Sequence, residues 1–304
     1  MKMHQKIRAW AFPANVAGVV VGIVVIGLGL AGCAHPYSTT TASTDPAAAS
    51  TDPATGVLNV ADAAIAGNDP AMALQVSQSV LANDPHNIEA LYHEAAAYYA
   101  VGRCEDAVAA YRLALKLDPR SSPAQTGIGR CLLRYDAAGA EHAFMAAVQD
   151  DPGNAAALND LGIARDLQGN YAGAIQPYQQ ALLVAPGALA TEVDLGMSLA
   201  LSGNGAEALQ YLGPLATGPE ATPKIREDYA AALLASGRVD EARQVLAVDL
   251  PPDQVGVMLT DFSTAITNGR TAQPPAPSAA AAQPTAQTFA GTIPAQTAAT
   301  SLLQ

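Results

Sequence analysis

Several groupings in the 304-residue chain have the residue types that chemistry uses. Gly27, Gly29 and Gly32 spell G-x-G-x-x-G, the turn whose backbone amides cradle a dinucleotide pyrophosphate. That turn needs a strand before it, a helix after it and an acidic residue about 20 positions on. Here the glycines close an apolar run, Val16 to Gly32, and a Ser-, Thr-, Pro- and Ala-rich stretch follows, whose first acidic residue, Asp45, sits beside a proline. No phosphate loop results. His93-Glu94 begins H-E-x-x-H, in which two histidines one helical turn apart bind zinc, but position 97 is Ala. The five histidines, at 4, 35, 86, 93 and 142, are scattered, and none pairs with a cysteine or carboxylate at metal-ligand spacing. Gly196-Met197-Ser198-Leu199-Ala200 matches the nucleophile elbow G-x-S-x-G except at its last residue, and it lies in a helical pattern with no strand before it, so it reads as core. With no nucleophile beside a base, no metal cluster and no phosphate loop, the sequence gives no reason to expect an enzyme, a cofactor or a small-molecule substrate.

Cys33 offers a different chemistry. Upstream of it lie Lys2, Lys6, Arg8 and no acidic residue, then the apolar run, then Leu30-Ala31-Gly32-Cys33. A basic start, an apolar core and small residues before a cleavage point describe a secretory signal. The L-A-G-C ending resembles the lipobox of bacterial lipoproteins, which implies diacylation of the Cys33 thiol, cleavage before it and acylation of the new amine. The alternative is an uncleaved anchor, since 17 apolar or small positions approach the roughly 20 that span a bilayer. Either reading puts the remaining chain outside the cytoplasm. Three acyl chains exceed the single chain that binds only reversibly, so the tether is expected to be stable. Ala34 rather than Asp after the cysteine favours, in enteric bacteria, the periplasmic face of the outer membrane. Loss of residues 1–32 removes three basic residues and leaves 12 Lys+Arg against 27 Asp+Glu, a formal −15. A surface so acidic argues against nucleic acid and anionic headgroups as partners.

The elements that position any site are set by a repeat. Prolines fall at 85, 119, 152 and 186, at intervals of 34, 33 and 34. A second comb, Gly-x-x-x-x-Ala, falls at Gly102/Ala107, Gly169/Ala174, Gly203/Ala208 and Gly237/Ala242, at intervals of 67, 34 and 34. The 67 is two periods short of one residue, and the 33-residue proline interval lies inside it. In the unit Ala155–Ala188, Leu158, Leu161, Gly162 and Arg165 run along one helix and Gly169 follows as a left-handed cap. Ala174, Tyr178 and Ala181 mark the inner face of a second helix, and Pro186 ends the unit. Small Gly162 and Ala174 let the two helices approach, with Tyr178 filling the gap beside them.

This pattern resembles the tetratricopeptide repeat (TPR), W-x2-L-G-x2-Y…A-x3-F…P, with Leu and Arg where the family prefers Trp and Tyr. The segment from Ile88 to Pro119 is an equally good copy. The resemblance implies an all-α fold, a right-handed superhelix of antiparallel helix pairs with a concave inner surface. In this register residues 54–250 hold six pairs, beginning near 54, 88, 122, 155, 189 and 223, the first of them degenerate. Gly213-Pro214 is expected to end the second helix of the fifth pair early, and Pro177 to bend a helix locally. Residues 251–270 form a capping helix with Val255, Met258, Leu259, Phe262 and Ile266 on one stripe. The linker 33–53 and the tail 271–304 are rich in Ala, Pro and Thr and are expected to be disordered. About 20 flexible residues span ~25 Å, enough to hold the array clear of a bilayer.

In TPR proteins the groove is lined by the first helix of each pair. Here that face carries Tyr92, His93, Ala96 and Tyr99, then Thr126, Arg130 and Leu133, then Asn159, Asp160 and Ile163, then Val193, Asp194 and Met197. For any one of these, core packing is the competing role, and Tyr98, Tyr111 and Tyr178 read as core. The face offers only Arg130, with Arg134 as a second candidate, too little for the basic clamp that some TPR modules close on a terminal carboxylate. A folded partner or an apolar, basic segment fits the face better. Cys104 and Cys131 fall on adjacent units. Outside the cytoplasm a bridge between them is permitted, and two buried thiols acting as small hydrophobes is the alternative.

The second half carries a narrower resemblance. Asp194 to Leu250, above all the run from Leu212 to Gly237, is similar to TadD, the TPR lipoprotein of the tight-adherence (Flp/Tad) pilus machinery, as is "GIGRCLL" at Gly127–Leu133. That resemblance spans about residues 57–260. It implies a non-catalytic assembly factor whose partners are envelope proteins, a pilus secretin among them. A pilotin-like TPR lipoprotein of type IV pili and a scaffold for cell-wall hydrolases are the alternatives.

Overall fold

A computed structural model describes residues 53–272. Cys33, the signal 1–32 and the tail beyond 272 lie outside those residues, as does the linker except for its last position. Among the described residues thirteen α-helices form and no strand does. Six are paired with six in antiparallel hairpins: α1 (Pro53–Ala66) with α2 (Pro70–Asn83), α3 (Ile88–Ala100) with α4 (Cys104–Leu117), and α5 (Ser122–Leu132) with α6 (Ala137–Asp150). Then come α7 (Ala155–Leu167) with α8 (Tyr171–Val184), α9 (Leu189–Leu201) with α10 (Gly205–Thr217), and α11 (Pro223–Ala235) with α12 (Val239–Leu246). The last helix, α13 (Pro252–Ala272), has no partner of this kind.

Local chemistry sets the ends. Asp69, Asn87, Ser121, Asp136, Asn154, Asn170 and Thr222 each precede a helix and accept a hydrogen bond from the amide three residues on, which satisfies one of the unpaired N–H groups of the first turn. Asp84, Asp118, Asp151 and Ala185 stand immediately before the four regularly spaced prolines. Each has a β-side ψ of 79 to 94°, because a following proline ring disfavours helical backbone.

The turns inside the hairpins explain the missing residue. Gly102, Gly169, Gly203 and Gly237 have φ between 76 and 91°, and Asn68 takes the same role at 58° where the first unit has no glycine. Each lets the next amide reach back five residues, as Asn170 does to the Arg165 carbonyl at 2.9 Å. The α5–α6 turn is a residue shorter. Asp136 reaches back only four, to Leu132 at 2.8 Å, with no left-handed residue.

Each second helix packs on its partner and on the first helix of the next pair, and successive first helices touch. Successive second helices make no comparable contact, so the first helices occupy the inner side. Glycines make this approach possible. A Cβ on Gly162 would lie 2.5 Å from the Tyr178 ring, and one on Gly196 2.5 Å from Leu212. Tyr178, Phe144, Leu212 and the alanines at 107, 140, 174 and 208 are fully buried in this layer.

One proline expectation changes. The helix α10 runs through Pro214 to Thr217 instead of ending before it. Proline disfavours helical backbone in the preceding residue partly by clashing with its Cβ, and Gly213 has none. Buried Leu212 and Ala216 also hold the helix on both sides of the ring. Pro177 lies inside α8, which likewise continues. The proline withholds the amide that would serve the Gly173 carbonyl. Arg165 replaces it, donating from Nη1 at 2.8 Å, while its Nε holds Glu141 at 2.8 Å.

The last helix also does more than close one end. Its Val255, Leu259 and Phe262 form one cluster with Ala230, Ala231 and Leu233 of α11 and with Leu246 of α12. It then continues back along the array to α9, where Gly269 meets the Leu201 carbonyl and Arg270 passes beside Gly203.

Candidate functional site: the inner face of the first helices

The first helices of the array present corresponding positions at each turn. Five of the expected groove residues are bonded to neighbours across one repeat. Arg130 on α5 donates from Nε to Asp160 Oδ2 on α7 at 2.6 Å. Asn159 Oδ1 on α7 accepts from the Thr191 hydroxyl on α9 at 2.8 Å. Tyr92 shares a hydrogen bond with Ser121. His93, only 8 % exposed, faces Asp62 of α1 at 3.5 Å through Nδ1, and its Nε2 is buried without a partner. Such bonds register each unit on the next. They also mean that Arg130 brings no uncompensated charge to the face.

Tyr99 remains 39 % exposed at the α3 end. Val193 is half-buried against the cluster that contains Tyr178 and Leu195. Met197 departs from its expected place. It packs against the cluster that α11, α12 and α13 form together, and α13 itself also lies on α9. The groove available to a partner therefore runs along α3, α5, α7 and the N-terminal half of α9.

Along this line three carboxylates recur at 34-residue spacing: Asp160, Asp194 and Asp228. Asp228 is fully buried on α11 and takes a hydrogen bond from Lys224 one turn earlier. Burial pushes its carboxyl up to about 6 even though Lys224 pulls the other way. Burial and then the like charge of Asp228 push Asp194 up to about 7, with Lys224 opposing and Asp160 adding to the rise. Burial also raises Asp160 against the pull of Arg130. A fourth carboxylate, Asp166 at the end of α7, accepts from the Tyr178 hydroxyl at 2.8 Å and from Ser198 at 2.7 Å. Burial holds it well above the usual carboxylate range despite both donors. Ser198, the serine of the near-match nucleophile elbow, is thus a buried hydrogen-bond donor.

Beside Asn159 and Asp160 lies a recess of about 250 Å³. Its walls are small, with Ala155, Ala156, Ala181, Ala185 and Ala188, and its rim is polar, with Arg130 and Thr191. An apolar side chain fits such walls. The Lys224–Asp228 pair was not picked out from the sequence, although the 34-residue recurrence of aspartate was available as a signal. Among the described residues no group of three His, Cys, Asp or Glu side chains is placed to hold a metal ion, and no helix is long and apolar enough to cross a membrane.

Family models described as tetratricopeptide repeat match residues 64–131 and 136–190. The chain carries TPR repeats in an all-α array. Solved TPR structures superpose on it at low identity. PilF of Pseudomonas aeruginosa aligns at 17 % identity and a TM-score of 0.56, over 72 % of this chain and 95 % of PilF. PilW, described as a widely conserved type IV pilus biogenesis factor, aligns at 20 % and 0.56, over 64 % of this chain and 93 % of its own. YrrB, described as a TPR protein with an unusual peptide-binding site, aligns at 18 % and 0.51, over 63 % of this chain and 96 % of its own. At these identities the likeness is one of fold. No curated protein sequence matches the chain. TPR arrays are protein-interaction scaffolds, and the face built here has the form of one.

Proposed function

We propose that this TPR protein is a non-catalytic, lipid-anchored docking scaffold for envelope assembly, acting in biogenesis of the tight-adherence (Flp/Tad) pilus at the periplasmic face of the outer membrane. The observation that carries the docking role is the inner face from Tyr99 to Asp194, with an alanine-walled recess set beside a row of carboxylates. The partner segment that suits it is apolar with a basic residue. A cation brought beside Asp194 favours its ionised form, so binding releases a proton and weakens as pH falls through about 7. The Leu212–Gly237 run supports the pilus assignment, and Leu30-Ala31-Gly32-Cys33 supports the anchor. A pilus secretin, or a protein that guides one, is the partner this reading favours.

The test is made in the source bacterium. Deleting the gene should abolish surface pili while leaving peptidoglycan intact. Restoring Ala156→Arg, which puts a cation on the exposed rim of the recess, should leave protein level unchanged and cut pilus number. Restoring Cys33→Ala should remove lipid labelling and membrane retention. Normal piliation after deletion overturns the pilus assignment, and a peptidoglycan defect in its place points to the hydrolase-scaffold alternative. Normal piliation with Ala156→Arg overturns the groove.

A further inference from the structure

Cys104 and Cys131 meet inside the molecule. Cys104 is the first residue of α4 and Cys131 the penultimate residue of α5, so they belong to different hairpins. Cys131 belongs to the buried cluster formed with Leu91, Ala107, Tyr111 and Ala124, and Cys104 packs against that same cluster. Both stand on fixed backbone. The turn before Cys104 is closed by Gly102 and Arg103 amides donating to Tyr99 and Tyr98 at 2.9 and 2.8 Å, and Cys131 lies in the last turn of α5 with its neighbour Arg130 held by Asp160. Cys104 is partly exposed, whereas Cys131 is fully buried. The pair thus has an outer thiol that a reagent can reach and an inner one that only its neighbour reaches.

We propose that Cys104 and Cys131 are a disulfide-forming pair that ties the second hairpin to the third, directly beneath the Tyr99 and Arg130 end of the groove. The oxidant is a disulfide of a small thiol or of a thiol–disulfide oxidoreductase. The Cys104 thiolate attacks one sulfur of that disulfide, breaking its S–S bond and releasing one thiol, which takes up the Cys104 proton. The Cys131 sulfur then attacks Cys104 Sγ, forming the Cys104–Cys131 bond and expelling the second thiol with the Cys131 proton. The protein loses two electrons and two protons, and the external disulfide gains both. Burial, chiefly, pushes the Cys131 thiol up to about 12, which makes the second step the slow one. Once closed, the bridge joins the α3–α4 turn to α5. It fixes the spacing between the two walls that carry Tyr99 and Arg130. This inference is independent of the pilus assignment and of the anchor.

Full-length chain in detergent is treated with glutathione disulfide, unfolded in N-ethylmaleimide and digested with trypsin. Cleavage after Arg103, Arg112, Arg130 and Arg134 isolates the two cysteines on separate short peptides, 104–112 and 131–134. The expected result is those two peptides joined, with neither carrying maleimide, and a Tm rise of roughly 5–10 °C over the reduced chain. Cys104→Ser, at the partly exposed position, should fold normally and show no difference in Tm between oxidised and reduced samples. Cys131→Ser should do the same if it folds. Recovery of both peptides labelled by maleimide after oxidation overturns the proposal. So does a stable glutathione adduct on Cys104 or linkage of either peptide to Cys33 or to a second chain.

Discussion

Asp194 carries its proton at a pH where surface aspartates have long lost theirs, because it is half-buried between Asp160 and Asp228. In the unfolded chain its carboxyl returns to the ordinary range, near 4. The folded state therefore binds the proton more tightly than the unfolded one. Its contribution to stability is full below about pH 4 and is lost as pH rises through about 7. Asp228, at about 6, loses its share in the same direction at slightly lower pH. Asp194→Asn keeps the shape and removes the titration. At pH 5 the variant and the parent should melt within a degree or two of each other. At pH 8 the variant should be the more stable, by roughly 1–3 kcal/mol. Thermal melts of both proteins from pH 5 to 8 measure this, and parallel profiles would refute a raised carboxyl at this position. The 34-residue recurrence of aspartate was visible in the sequence. Its meaning was not, since Lys224 and Arg130 are assigned to particular carboxylates only once the helices stand side by side.

A helix that runs through a proline needs another donor for the carbonyl one turn back, and in α8 that donor is Arg165 of the preceding helix. Arg165→Ala leaves the Gly173 carbonyl unserved and should cost about 1–3 kcal/mol. Pro177→Ala restores the amide that normally serves that carbonyl. In its presence Arg165→Ala should cost about 1 kcal/mol less, the loss of the Glu141 ion pair being common to both backgrounds. Urea unfolding of the four proteins gives the coupling, and strictly additive effects would show that the arginine does not replace the proline's missing bond.

The same element shows where sequence reading succeeds and where it stops. Helix starts were legible because each has a local cause. An Asn, Ser, Asp or Thr cap, a proline just beyond a helix end, or a left-handed glycine acts within four residues. The 33-residue interval was legible as a deletion, and the structure places it in the α5–α6 turn, which closes without a left-handed residue. The continuation of α10 through Pro214 has a local cause too, in Gly213, but the rule about proline masked it. The Arg165 bond spans two helices and no periodicity announces it. Helical phase alone puts Met197 in the groove, whereas it packs on a cluster built from three later helices, α11, α12 and α13.

At the scale of the described array, each hairpin touches only its neighbours, so a disturbance at one end should fade along the chain. The exception is α13, which packs on α9 as well as on α11 and α12 and so ties two hairpins together at the C-terminal end. Val255, Leu259, Phe262 and Ile266 are buried on its inner stripe. An amphipathic helix seeks such cover, but its stripe does not specify which neighbour supplies it. Here the exposed inner flanks of α9 and α11 do so, at the expense of groove length. Phe262→Ala removes the largest of these side chains and should cost about 3 kcal/mol or more where the ring sits. Because the coupling is between neighbours, the loss should be local. Native-state hydrogen exchange should show faster exchange throughout α9, α11, α12 and α13, with α1 to α4 unchanged. The Ala155–Ala188 recess, one hairpin further on, should lose little. Uniform acceleration from α1 to α13 would mean that the array unfolds as a single cooperative block. Acceleration confined to α13 would mean that this helix merely lies against the array and does not brace it. A graded profile that dies away by α5 is the outcome that matches six hairpins stacked in series and one helix clasping the last two.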